Sequence, residues 1–241
     1  MSDGERSDAS KAKDRPAGRA GDNSPDNRTR LVLAALELFA RSGYEAASTR
    51  AIADAAGANI SLIKYHFGGK EGLRAAVAEY LAERIGAAVG PAISHADQAL
   101  QSESLTPDRA GALLKAVIDR FVGVMIANPE HAVWARFILR EQAEPTAAFD
   151  ILYERVMARA HGFACRIVGL LVGKPSESAE TKLRVFAIMG ELIVFRAAHA
   201  AVLRRMGWAE YGPEEARQIR DTAYETIDML VAAALAREEE G

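Results

Sequence analysis

The sequence predicts an all-α protein with two parts, a small N-terminal three-helix domain built on a helix-turn-helix and a larger C-terminal helical domain. Three observations carry that prediction. Apolar residues recur at helical spacing through most segments after residue 28, as in Leu31, Ala35, Leu38 and Phe39 and again in Leu113, Val117, Phe121 and Val124. Residues 48–70 hold two short helices around a glycine turn. The last two periodic segments are apolar over more than one face, which calls for a second partner helix.

The 241 residues are 49% hydrophobic and 26% charged, a globular composition with ample length to bury a core. The net charge of −3 is only a weak argument against a nucleic-acid partner, because such binding follows the charge of one face. A single cysteine excludes an intrachain disulfide and fits a reducing compartment. No apolar run is long enough to span a bilayer and the start lacks the hydrophobic core of a signal peptide. The expected location is therefore the cytoplasm, with no membrane partner.

Residues 1–27 are rich in Ser, Asp, Lys, Arg, Gly and Pro and are expected to form a disordered tail. Its basic residues, among them Lys11, Lys13, Arg15 and Arg19, are diluted by Asp8, Asp14 and Asp22. Residues 28–42 form a helix closed by Gly43. Ser48 caps the next helix, which carries Ile52, Ala53 and Ala56 and ends at Gly57, where the absence of a Cβ lets the chain turn left-handed. Asn59 caps a second short helix with the stripe Ile60, Ile63 and Phe67, leaving Ser61, Lys64, Tyr65 and His66 outside. Gly68-Gly69 turns the chain, and Lys70 opens a helix to about residue 88 that Gly90-Pro91 ends. The first domain is thus residues 28–88, including a linking helix.

The outer side of that motif suits DNA. A helix entering a major groove offers hydrogen-bonding groups to base edges and positive charge to phosphates, with no carboxylate in the way. No acidic residue lies between Asp54 and Glu71, while Arg50, Lys64, Tyr65, His66 and Lys70 lie in or beside that gap. Thr49 and Arg50 fall in a first helical turn, where free backbone N–H groups also favour phosphate.

Residues 31–84 resemble the DNA-binding domain of TetR-family transcriptional regulators. The matching positions are Phe39, Gly43-Tyr44, Thr49-Arg50, Ile52-Ala53, Ala56-Gly57, Tyr65-His66-Phe67 and Lys70-Glu71. The resemblance implies phosphate contacts from Thr49, Tyr65 and Lys70 and base or groove contacts from Ser61, Lys64 and His66. Arg50 and Asn59 complete the candidate DNA-binding set. Asn59-Ile60 and Lys64 depart from the commonest family pattern, which bears on the operator sequence rather than the mode of binding.

The second domain, residues 89–241, is read as the ligand-binding and dimerisation half. Residues 94–108 are weakly patterned and expected as a loop. Helices follow over about 109–127, 130–143 and 145–172, with a turn at 173–178 and two long helices at 179–206 and 213–237. The last two are expected to pair with their symmetry mates as a four-helix bundle, making a homodimer; a larger monomeric core is the alternative. From about Phe137 this half also resembles the CecR-type branch of the family. Phe137-Ile138-Leu139-Arg140-Glu141-Gln142, Pro145-Thr146 with Ala148-Phe149-Asp150, and Arg204-Arg205-Met206-Gly207-Trp208 carry that likeness, which implies control of efflux or drug-sensitivity genes.

Arg136, Arg140, Glu141, Tyr153, Glu191 and Arg196 are polar groups within otherwise apolar helices, so each must either pair up or face a cavity or solvent. The candidate ligand pocket combines Phe121, Met125, Trp134 and Phe137 with Arg140 and Tyr153. His161 and Cys165 lie four apart on one helix, a metal-ligand spacing for which only His199 suggests a further ligand. Core filling is the simpler reading, and no metal or cofactor is expected. No nucleophile elbow, phosphate-cradling glycine loop or metal-hydrolase motif is present, so no catalytic residues are assigned. The expected function is a homodimeric, ligand-responsive transcriptional repressor that binds a palindromic double-stranded DNA operator and is released by a small, largely apolar effector.

Overall fold

The computed structural model describes residues 25–102 and 105–240, and every regular element among them is helical. Helix α1 spans Pro25–Ser42, starting three residues before the periodicity predicts. Proline suits the first helical position, where its missing N–H is not needed. The rest of the expected tail lies outside the described residues. Helices α2 (Thr49–Ala56) and α3 (Ser61–Phe67) form the helix-turn-helix. Ser48 Oγ accepts the Ala51 N–H at 3.1 Å, and Gly57 has φ of 59°. Asn59 Oδ1 accepts from both the backbone N–H and the hydroxyl of Ser61, each at 2.9 Å.

The apolar stripe of α3 is shifted from the expected one. Ile60 precedes the first helical turn and is 48% exposed, while Leu62 joins Ile63 in the core. Helix α4 then runs over Lys70–Ser102, straight through Pro91. An internal proline costs a helix ~3 kcal/mol. Continuing burial of Val89, Ile93 and Ala96, in register with Leu73, Val77, Leu81 and Ile85, offsets that cost. Most of the expected 94–108 loop is therefore helix. Helix α5 (Pro107–Met125) starts two residues early because Thr106, not a later residue, caps it through the Arg109 N–H at 3.3 Å.

A single 3-10 turn, Pro129–His131, precedes α6 (Ala132–Ala143). The expected 145–172 helix is interrupted: α7 (Ala147–Leu152) and α8 (Ala158–Val172) flank a π turn at Tyr153–Met157. Thr146 is the N-cap of α7, leaving Pro145 outside. The expected 179–206 helix is likewise two, α9 (Ala179–Ala197) and α10 (His199–Met206), bent by 80°. At the bend Tyr211 Oη donates to the Phe195 carbonyl at 2.7 Å, taking an acceptor that the next turn of a continuous helix would use. Helix α11 (Pro213–Glu240) is the last described element.

Helix α4 joins the two halves. Its start packs on α1 and α3, and the helix also contacts α5, α7 and α8. Helix α6 packs on both α1 and α9, α5 on α11, and α9 on α8 and α11. Leu183, Phe186 and Val194 of α9 and Met229 of α11 remain exposed. Among the described residues, no single helix is long and apolar enough to cross a membrane.

Candidate DNA-reading surface and effector cavity

The sequence places α3 outward by its caps, and the structure positions its side chains accordingly. Ser61, Lys64 and Tyr65 are exposed on one side, with Leu62 and Ile63 buried on the other. Arg50 is exposed on α2 and Thr49 half-buried beside it. Asn59 is exposed, although its Oδ1 is committed to capping α3. His66 differs from its expected placement: it is half-buried between the Tyr65 and Phe67 rings, 5.0 and 5.9 Å away. Its Nε2 is enclosed without a hydrogen-bond partner among the described residues. Lys70 Nζ bonds the Glu45 carbonyl at 3.3 Å and lies 4.2 Å from the centre of the Tyr44 ring. Arg74 covers the same ring at 4.6 Å, so Tyr44 gathers two cations at the start of α4.

Helix α3 meets α4 at a close approach. A Cβ on Gly72 would stand 1.8 Å from the Phe67 carbonyl oxygen, a backbone atom that cannot move aside. Only glycine permits this angle between the two helices.

Helix α6 ties the N-terminal helices to the C-terminal half. Arg140 donates Nε to the Ala40 carbonyl at 3.1 Å and a terminal nitrogen to the Arg41 carbonyl at 3.4 Å, placing its charge at the C-terminal end of α1. Glu141, 1% exposed, accepts from Arg74 of α4 at 2.6 Å and from Thr146 Oγ1 at 2.8 Å. Both carboxylate oxygens of a buried charge are thereby satisfied.

The next face of α6 lines a different space. Ile138, Leu139 and Gln142, with Ile85 and Val89 of α4, Phe121 and Met125 of α5, His161 of α8, and Phe186, Met189, Ile193 and Arg196 of α9, enclose a mainly apolar cavity of about 260 Å³. Of the six expected pocket residues, Phe121 and Met125 line it. Trp134, Phe137, Arg140 and Tyr153 do not line this cavity. Trp134 faces an outer cleft of about 560 Å³ beside Leu33, Leu36, Tyr80 and Arg84. Phe137 and Arg140 border a cleft of about 630 Å³ between the two halves, with Tyr44 and Arg74. Tyr153 is 43% exposed in the π turn, 6.1 Å from the His161 ring. One helix cannot reveal which of its apolar faces meets a void, and α6 has several.

Two comparisons decide the family. Residues 110–234 match the family model described as HTH-type transcriptional dual regulator CecR, C-terminal domain, and residues 31–77 match that of bacterial regulatory proteins, tetR family. The HTH-type transcriptional dual regulator CecR of Shigella flexneri is 32% identical over 207 residues, covering 85% of this chain and 91% of that protein. The chain belongs to the TetR family of transcriptional regulators, with a CecR-type C-terminal domain. A second relative, the HTH-type transcriptional regulatory protein RaaS of Mycobacterium tuberculosis, is 27% identical over 161 residues, or 67% of this chain and 66% of that protein. A TetR-like transcriptional regulator from Rhodococcus sp. RHA1 shares the fold, with a TM-score of 0.56 at 18% identity over 87% of this chain and 96% of that one.

The polar groups outside the helix-turn-helix sort by position. His161 lines the cavity, and burial holds its pKa below the ordinary value. Cys165 is buried outside the cavity lining, and burial raises its thiol pKa, ahead of a smaller effect of Glu177. Among the described residues, no group of three or more His, Cys, Asp or Glu side chains stands together as a metal site. His199 lies instead 4.8 Å from the Tyr211 ring. Gln142 and His161 as cavity residues, and the glycine requirement at 72, were missed by sequence reasoning. The only signal for Gln142 was its place in the Arg140-Glu141-Gln142 trio.

Proposed function

We propose that this TetR-family regulator is a homodimeric repressor that a small, largely apolar effector releases from a palindromic operator. The single observation that carries the reading is the division of labour on α6. Ile138, Leu139 and Gln142 line the cavity, while Arg140 and Glu141 hold α1 and α4. A ligand that displaces α6 must disturb those bonds and with them the direction in which α4 leaves the helix-turn-helix. Such two-state coupling typically amounts to ~1–3 kcal/mol.

In the bound state Ser61 and Lys64 meet base edges, Thr49, Arg50, Tyr65 and Lys70 meet phosphates, and Asn59 positions α3 by its cap. His66 reaches a base only when its ring turns out of the pocket between Tyr65 and Phe67. Dimerisation through α9 and α11 is supported by exposed Leu183, Phe186, Val194 and Met229, a set that a partner helix pair would bury. Control of efflux or drug-sensitivity genes follows the CecR-type likeness and is part of the same proposal.

The test is selection of bound fragments from genomic DNA by the full chain at two salt concentrations. A short palindrome near promoters that survives the higher salt is the expected result. Retention that ignores sequence and vanishes with salt would instead indicate phosphate attraction alone.

A further inference from the structure

One end of the cavity is closed by a cation with no carboxylate partner among the described residues. Arg196 of α9 lines the cavity and turns back toward the end of α5. Its Nε donates to the Met125 carbonyl at 2.6 Å, and Nη2 donates to those of Ile126 and Asn128 at 3.0 and 3.4 Å. Its guanidinium carbon lies 5.5 Å from the centre of the Tyr211 ring. Carbonyl dipoles and a ring face disperse the charge without neutralising it. Among the described residues, Nη1 has no hydrogen-bond partner and no carboxylate pairs with the group. Burial lowers the Arg196 pKa, and Arg136 acts in the same direction, yet an arginine keeps its proton in a protein. A partly buried, permanent positive charge is thus left at the wall of an apolar space. The other polar lining groups, Gln142 and His161, add no negative charge: Gln142 is an amide, and burial favours the neutral form of His161.

We infer that the cavity is built for a small lipophilic acid, its carboxylate on Arg196 Nη1 and its apolar body along Phe121, Met125, Met189 and Ile193. This deepens the effector proposal and rests on the same cavity. At about 260 Å³ the space lies just below the ~300–1,000 Å³ of pockets for drug-sized molecules, so the acid is a short one. An organic cation of the same shape would meet the Arg196 charge head-on, and a neutral alcohol would accept from Nη1 without balancing its charge.

The experiment compares three probes with one tail, octanoate, 1-octanol and octylamine, titrated calorimetrically into the full chain at about pH 7.5. Octanoate is expected to bind at least about tenfold more tightly than octanol, with octylamine weakest. Arg196→Gln is expected to erase the preference for octanoate over octanol. Because Arg196 also closes α5, that variant can lose its fold, but the ranking of the three probes on the unaltered protein stands without it. Met189→Trp, which fills the cavity, should abolish binding of all three. Equal or tighter binding of octanol overturns the acid while leaving the cavity as an apolar effector site. Absence of binding, or binding that Met189→Trp does not change, overturns both the acid and the cavity assignment. Neither result touches operator recognition, which the fragment selection reads separately.

Discussion

Arg74 and Glu141 form an ion pair at 2.6 Å that joins α4 to α6, 67 residues apart in sequence, with the carboxylate 1% exposed. It is a buried charge whose partners come from two structural units, Arg74 beside the helix-turn-helix and Thr146 at the cap of α7. Removing Arg74 leaves that carboxylate without a counter-ion. Arg74→Ala is expected to cost ~3–5 kcal/mol in urea unfolding. Glu141→Gln, which still offers Thr146 an acceptor, should cost less.

The angle between α3 and α4 depends on Gly72. A methyl group there collides with the Phe67 carbonyl at 1.8 Å. Gly72→Ala is expected to destabilise by at least ~1–3 kcal/mol, the usual range for overpacking, and to weaken DNA binding beyond what its stability loss explains. Gly86 is a useful control, since a Cβ there meets nothing within 4 Å. Paired thermal melts and DNA titrations of the two variants separate these effects.

Two lysines should differ in kind. Lys70→Ala is expected to lower the slope of log affinity against log salt by ~1, weakening all sequences alike. Lys64→Ala should relax base preference at one operator position, at a cost of ~1–3 kcal/mol on the best site. Titrations of an operator and a scrambled duplex at several salt concentrations distinguish the two outcomes.

The helix-turn-helix was legible because its punctuation is local. Ser48, Gly57, Asn59 and Gly68 act within a few residues of themselves, and each sits at its predicted cap or turn. What failed was non-local. Pro91 reads as a stop until the burial of Val89, Ile93 and Ala96 is known to continue beyond it. The break at Ala198 depends on Tyr211, reaching Phe195 from 16 residues away. The cavity depends on five helices at once, so the sequence pattern of any one of them does not show that Phe121 and Met125 line it while Trp134, Phe137 and Arg140 border other clefts and Tyr153 is exposed. Arg196 was legible as a misfit in an apolar helix, but its carbonyl partners on the α5 side were not.

Acid should destabilise the fold through His161. Burial holds its pKa below 6.5, so the unfolded chain takes up a proton first as pH falls. The contribution of neutral His161 is complete above 6.5 and is lost as pH falls from there through the lower folded value. His199 is shifted in the same direction and shares the window, whereas Glu214, lowered from 4.5, acts only at more acidic pH. Urea midpoints between about pH 8 and about pH 5.5 should fall with pH, and less steeply in His161→Phe.

The most direct test of the coupling through α6 is operator affinity measured with and without a saturating cavity ligand. A suitable ligand is any compound whose thermal stabilisation of the protein is lost in Met189→Trp. The expected result is a drop in operator affinity of roughly 5- to 150-fold in the unaltered protein and a smaller drop in Arg140→Ala, where one tie between α6 and α1 is gone. A ligand that fills the cavity and leaves operator affinity unchanged would contradict the account.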